Sequence, residues 1–380
     1  MDDIKLFGAI SIDTSILEKQ GYKFNEGLLK QLRQFYESSV KLVQTDIVHQ
    51  EAKKHISACV KEYKQKVESI LRIAPNQIGI SPEKVEDAKE FLSLNEDDSI
   101  IADKRLQEYY KQIGAELLET DKYVDVQRLM KMYFDVEAPF EDRKDKKNEF
   151  PDAIALISLE AWAEKNNVNV IAVSVDKGWE KYAETSKRIK CFNDLAEAIE
   201  ELQPETQVER IVEIIHEKEI LVNENHISDK IRQKIINVVE NSFVDIETSS
   251  DYCYEETSCY MTYIDHEFKL NKENLIDIDV VMVEENIVTF QVNADIEFEV
   301  SVSFDFYIRD GIDHDDVGIG CTTREVKEEY NTDILISLSG NMDDDIDNIN
   351  VDDIEVLSAV DCVDIGYVSP DSDYYGDERM

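Results

Sequence analysis

The sequence predicts two folded bodies. One is an α/β domain over residues 1–203 built on a parallel sheet. The other is an acidic α+β domain over residues 204–380 built on an antiparallel sheet. Three observations predict this. In the first half, short near-continuous apolar runs alternate with helical patterns, the habit of strands buried on both faces of a parallel sheet. In the second half the apolar period becomes two. From Phe290 to Phe306 every even position is apolar, while the odd positions include Asp295, Glu297, Glu299 and Asp305, which gives one buried and one wet face. Charge divides the same way. Within a formal net charge of −43, residues 1–200 hold 30 Lys+Arg against 38 Asp+Glu, and residues 201–380 hold 11 against 46, an asymmetry that marks two different bodies.

Taken in order, KLFGAISI at 5–12 and VKLVQT at 40–45 read as buried strands. A helix follows from Asp46 to about Ile73, with an apolar stripe at Val48, Ala52, Ile56, Cys59, Tyr63, Val67 and Ile70, spaced by three and four residues. A helical insertion occupies about 60–145, with SPEKVEDAKEFL, DKRLQEYYKQIGAELL and VDVQRLMKMYF as its further helices. The helix EFPDAIALISLEAWAEKNN is apolar nearly all round and carries Pro151 near its start, where proline fits. NVNVIAVSVD is a strand, KGWEKYAETSK a turn and helix, KCF a short strand and NDLAEAIEEL a capped helix. QPETQ at 203–207 is the boundary. Beyond it VERIVEIIHEKEIL and ISDKIRQKIINVVENSF read as helices, IDIDVVM and DILISLS as further strands, and GNMDDDIDNINVDD as an acidic loop.

Composition excludes several classes. No window approaches the roughly 18 apolar residues of a membrane span. The acidic start MDDIKLF is not that of a signal peptide. The six cysteines include no C-x-x-C pair and the histidines no H-x-x-x-H; this argues for reduced thiols in the cytoplasm and against a zinc site. The acidic loop lacks the Gly and terminal Glu of a calcium-binding EF-hand.

Four acids stand out. Asp13 ends the first strand in ISIDTS, and Asp176 ends a later one in VSVDKGW. Strand C-termini of an open α/β sheet line one edge, where ligands bind. Glu51 lies on the helix after the second strand, with Lys54 and His55 at i+3 and i+4. Asp152 opens the apolar helix, close after Glu149. Carboxylates gathered without Cys or His suit a hard ion such as Mg²⁺ or Mn²⁺. Each also has a plainer reading: a helix cap for Asp13, a dipole partner for Asp152, a turn for Asp176 and a solvated helix position for Glu51 and Glu149.

The order IDTS, TDIVHQE, EFPDAIAL and VSVDKGW resembles the PIN-domain nucleases, the superfamily of VapC-type toxins, over roughly residues 4–200. The chain departs from the small toxins in the long span between Glu51 and Asp152, and it resembles larger bacterial PIN-like proteins, some of them in phage defence. The resemblance implies a PIN-like sheet and a metal-dependent endoribonuclease. It implies Asp13, Glu51, Asp152 and Asp176 as catalytic ligands of one or two Mg²⁺ or Mn²⁺ ions, with Glu149 as an added ligand. Thr14 and Ser15 would orient Asp13 or a water.

Basic residues flank this set: Lys53 and Lys54 after Glu51, Arg143, Lys144, Lys146 and Lys147 before Asp152, and Lys177 after Asp176. They are candidate contacts to RNA phosphates, and Trp179 is a candidate base-stacking or core residue. The partners implied are RNA, single-stranded or tRNA-like, a protein docking on the acidic domain, and a second copy of the chain, with no membrane. The acidic domain reads as a solvated sheet, a docking surface, or an inhibitor of the basic groove. The rival functions are a structure-specific DNA nuclease and a PIN-like scaffold that binds without cutting.

Overall fold

The structure, a computed structural model, describes residues 7–142, 146–284, 286–309 and 316–371. The residues fall into two compact units, Met1–Leu202 and Gln203–Met380. Lys5 and Leu6 of the expected first strand, and Arg143 and Lys144, lie outside the described residues.

The first unit is a five-stranded, all-parallel sheet in the order β3-β2-β1-β4-β5. Its strands are β1 (Phe7–Ile12), β2 (Lys41–Thr45), β3 (Glu116–Leu118), β4 (Asn169–Val173) and β5 (Ile189–Phe192). Between β1 and β2 lie α1 (Thr14–Lys19) and α2 (Gly27–Gln31). After β2 come α3 (Asp46–Ile78), α4 (Pro82–Phe91) and α5 (Asp98–Ile113). After β3 come α6 (Val126–Asp135) and α7 (Phe150–Asn166), and β4 and β5 are followed by α8 (Lys177–Thr185) and α9 (Leu195–Glu200). Four residues of β1 and four of β4 are buried, as their unbroken apolar runs require.

Two features of the insertion differ from the sequence reading. The segment AELL is not the end of a helix. Gly114, at φ 66, stops α5, and a Cβ there would meet Tyr36 at 2.7 Å; the chain turns and pairs as β3. Only the first part of the α3 stripe packs. Val48, Ala52 and Ile56 are buried, whereas Tyr63 and Ile70 are 68% and 61% exposed. The helix continues through Pro75 to Ile78.

The second unit contains α10 (Glu205–Glu217), α11 (His226–Asn241), and the strands β6 (Asp245–Ser249), β7 (Cys253–Phe268), β8 (Ile278–Glu284), β9 (Ile287–Arg309), β10 (Asp316–Ser339), β11 (Asn350–Val356) and β12 (Cys362–Tyr367). β9 is one strand of 23 residues, flanked by antiparallel β7 and β10, with β8 also paired to it. All its even positions from Phe290 to Phe306 are buried. They pack in one cluster with Ile211 and Ile215 of α10 and Ile231 and Ile235 of α11. The acidic loop contributes a strand, β11, and β6 and β12 pair in parallel; neither pairing was anticipated. The six cysteines are free thiols, and among the described residues no helix is long and apolar enough to cross a membrane.

Candidate active site

The strand order places a switch point at β1, whose neighbours β2 and β4 lead to opposite halves of the sheet. The crevice beyond the carboxyl ends of such strands is where α/β sheets bind ligands. Asp13 follows β1 directly, and its amide bonds the Val173 carbonyl at the end of β4 at 2.9 Å. Asp176 stands three residues past the end of β4. Glu51 is in the second turn of α3, which starts where β2 ends. The helix α7 leads into β4, so its first turn, carrying Asp152, returns to the same edge.

Asp13 is 5% exposed and capped on every side. Its Oδ1 accepts from the Thr14 amide at 2.7 Å, and its Oδ2 accepts from the Ser15 hydroxyl at 2.5 Å and the Ser174 hydroxyl at 2.8 Å. Ser15, expected to orient Asp13 or a water, thus bonds Asp13 directly. Thr14 turns its hydroxyl instead to Glu51 Oε2, at 3.2 Å. Ser174 also accepts from the Asp176 amide at 3.0 Å, and so ties Asp13 to Asp176. Sequence reasoning missed this serine, although its place two residues before Asp176 in VSVD was the available signal. Asp176 caps α8 through the Gly178 amide at 2.5 Å. A Cβ at Gly178 would meet that same carboxylate at 2.8 Å and Pro139 Cβ at 3.0 Å, so a side chain there would push the cap aside.

Two of the four acids feel the others. Burial pushes the Asp152 carboxyl up to about 7; the Trp179 hydrogen bond opposes this, and the charges of Asp13, Asp176 and Glu51 add to it. Burial also raises Glu51, the Thr14 bond opposes the rise, Asp13 adds to it, and His55 and Lys54 offset it. Burial and like charge both disfavour an ionised carboxylate when no cation stands beside it. Among the described residues, no three His, Cys, Asp or Glu side chains close on a single point. Each acid leans on a donor of the chain. The bonds engage Oε2 of Glu51, Oδ1 of Asp152 and Oδ1 of Asp176, leaving one oxygen of each without a protein donor among the described residues. An all-carboxylate oxygen set fits Mg²⁺ or Mn²⁺.

The other expected residues either bond within the chain or lie exposed. Glu149 is buried, and its Oε2 accepts from the Glu141 amide at 2.8 Å, an interaction that closes the loop before α7. Trp179 is corrected from a base-stacking candidate: it is fully buried, with its indole N–H on Asp152 Oδ1 at 2.9 Å, so its faces are in the core. Lys53 pairs with Asp103 at 3.2 Å. Lys146 donates to the Tyr133 carbonyl and lies 4.5 Å from the Tyr133 ring centre, so it holds an aromatic cluster. Lys54, Lys147 and Lys177 are exposed.

Residues 10–179 match the family model of the PIN domain. No curated protein and no solved structure matches the chain. The match runs from β1 to the first turn of α8 and takes in all four acids. The first unit thus contains a PIN domain, over residues 10–179.

Proposed function

We propose that the chain is a metal-dependent endoribonuclease whose catalytic residues are Asp13, Glu51, Asp152 and Asp176. The observation that carries this is the delivery of four acids from separate elements to one edge of the sheet, where Asp13, Asp176 and Glu51 add to the burial that raises Asp152. A scaffold has no physical reason to hold such a set, because each charge there costs stability until a cation arrives. A divalent ion held by these carboxylates would supply Lewis-acid polarisation of the phosphate and an activated water. The chain's own residues do the positioning. Ser15 and Ser174 fix Asp13, Thr14 fixes Glu51, and Trp179 fixes Asp152. The exposed Lys54, Lys147 and Lys177 would bind phosphates on the approaching strand.

The second unit is proposed to regulate the first, as in a toxin-like or phage-defence effector working in the cytoplasm. Its 45 acids against 11 bases make it a competitor for any basic nucleic-acid surface. The test is incubation of the protein with bulk tRNA, mRNA or single-stranded DNA, in Mn²⁺ or EDTA, beside Asp13→Asn. Asparagine keeps the helix cap and removes the charge. Mn²⁺-dependent cutting of RNA that the variant lacks is the expected result. Cutting of DNA alone would replace RNA as substrate, and equal cutting by the variant would remove the assignment.

A further inference from the structure

A cavity of about 440 Å³ opens between the loop after α1, the middle of α3 and the outer face of α5. Its volume is that of a small-molecule site. Cys59 on its wall stands eight residues beyond Glu51 on α3, about 12 Å along the helix axis. Tyr22 on the opposite wall lies close enough to the acids for burial first, then Glu18, Cys59, Asp13 and Glu51, to push its hydroxyl upward. The cavity thus flanks the candidate active site.

Its chemistry is specific. Tyr22, Phe24, Tyr63 and Tyr109 supply aromatic surface, with Phe24 stacked on Tyr109 at 4.4 Å. The Arg105 guanidinium lies 5.6 Å from the Phe24 ring centre and is held by the Tyr22 carbonyl at 3.1 Å. Formal charge on the wall balances, Lys23 and Arg105 against Glu26 and Glu108; such a site suits a neutral planar group better than a phosphate. Asn25 and Gln112 both give their amide oxygens to Arg33, which leaves their NH₂ groups as fixed donors on the wall. Tyr63 and Arg105 also line a second cavity of about 410 Å³, so they stand on the ridge between the two. The outer part of α3 explains itself on this basis: Tyr63 belongs to an apolar stripe yet is 68% exposed.

We infer that this cavity takes one unstacked base of a single-stranded RNA beside the cleavage site, with Tyr63 and Arg105 stacking on it and the Asn25 and Gln112 amides donating to its edge. The inference deepens the nuclease reading and rests on it. Aromatic and guanidinium planes with a few edge donors are the means by which proteins hold splayed bases.

The experiment measures binding of the full-length protein to a labelled ten-nucleotide RNA in EDTA, where nothing is cut. A companion set of RNAs carries an abasic residue at each position in turn. Wild-type protein is expected to lose about tenfold in affinity at one or two adjacent positions. In Tyr63→Ala and in Arg105→Ala that loss should shrink below about threefold, since the partner of the missing base is already gone. Tyr63→Ala trims an exposed ring, so a folding defect does not obscure it. A flat abasic profile, undiminished sensitivity in both variants, or no RNA binding would each overturn the inference. The nuclease reading fails separately, by absence of Mn²⁺-dependent cutting, and cutting with a flat profile would remove the base pocket alone.

Discussion

The Trp179 indole N–H donates to Asp152 Oδ1 at 2.9 Å, joining the helix that follows β4 to the helix that precedes it. One bond therefore sets the place of an acid of the candidate site from inside the hydrophobic core. Trp179→Phe keeps an aromatic filler and removes the donor. Loss of such a supporting bond typically costs 10–100-fold in metal affinity or activity. Cutting should fall about tenfold or more while the chain still folds. Unchanged cutting, with folding verified by circular dichroism, would show the bond to be idle.

Asp152 also makes a pH prediction for the metal-free protein. Its folded value of about 7 lies above the unfolded value of about 3.9. A carboxyl shifted upward favours the folded state below its unfolded value, and that contribution is lost as pH rises towards 7 and beyond. Asp152→Asn should therefore stabilise the chain in EDTA at pH 8 by about 2 kcal/mol, the partly open crevice reducing the full effect. The gain should vanish near pH 4. Thermal melts at the two pH values check this, and a variant less stable than wild type at pH 8 would contradict it. Mn²⁺ should raise the wild-type melting temperature more than the variant's.

Ser15 and Ser174 both donate to the same oxygen of Asp13. Each alanine substitution should cost about 1.5–3 kcal/mol, the range for hydrogen bonds to a charged group. The pair should be non-additive, because either hydroxyl can partly serve the oxygen alone. Urea unfolding of both single variants and the double variant measures this, and strict additivity would deny the shared oxygen.

Away from the site, buried Glu160 of α7 accepts from Arg128, Tyr182 and Ser186. Arg128→Ala leaves that carboxylate with less compensation and should cost about 2 kcal/mol, below the 3–5 of a fully buried pair because Arg128 is partly exposed. Burial opposes ionisation of Glu160, yet the Ser186, Arg128 and Tyr182 bonds prevail and hold it below its ordinary range. Its contribution is present above about pH 4 and is lost in acid. The cost of Arg128→Ala should therefore shrink below pH 4, and an equal cost at pH 3 and pH 7 would rule the pair out.

If the acidic unit competes for the nucleic-acid surface, residues 1–203 alone should bind RNA more tightly than the full chain. The difference should be largest at low salt, where charge acts furthest. Equal affinities at 50 mM and 200 mM salt would dismiss the regulatory role.

The candidate site was legible in the sequence because strand ends are legible. Asp13 and Asp176 close apolar runs, and a parallel sheet puts such ends on one edge; Asp152 opens a helix whose all-round apolarity marks it as buried. What stayed hidden depends on distant partners. β3 has three residues and no period of its own; only Gly114 signals it. β6 and β12 pair Ile246 with Val363, and no local pattern encodes that choice. Ser174 reads as a strand residue until Asp13 comes within 2.8 Å of it. The distal α3 stripe looked like core, because periodicity reports a shared face and not what covers it.

The pairing of β1 with β4 joins Ile12 to Val173. A chain emerging from the ribosome lacks both Asp152 and Asp176 until most of this unit has been made. At about 5–20 residues per second, Asp13 waits on the order of ten to thirty seconds for those two acids. During synthesis the growing chain holds only Asp13 and Glu51 of the set, so the proposed nuclease would lack half of its candidate ligands while its own message is being translated.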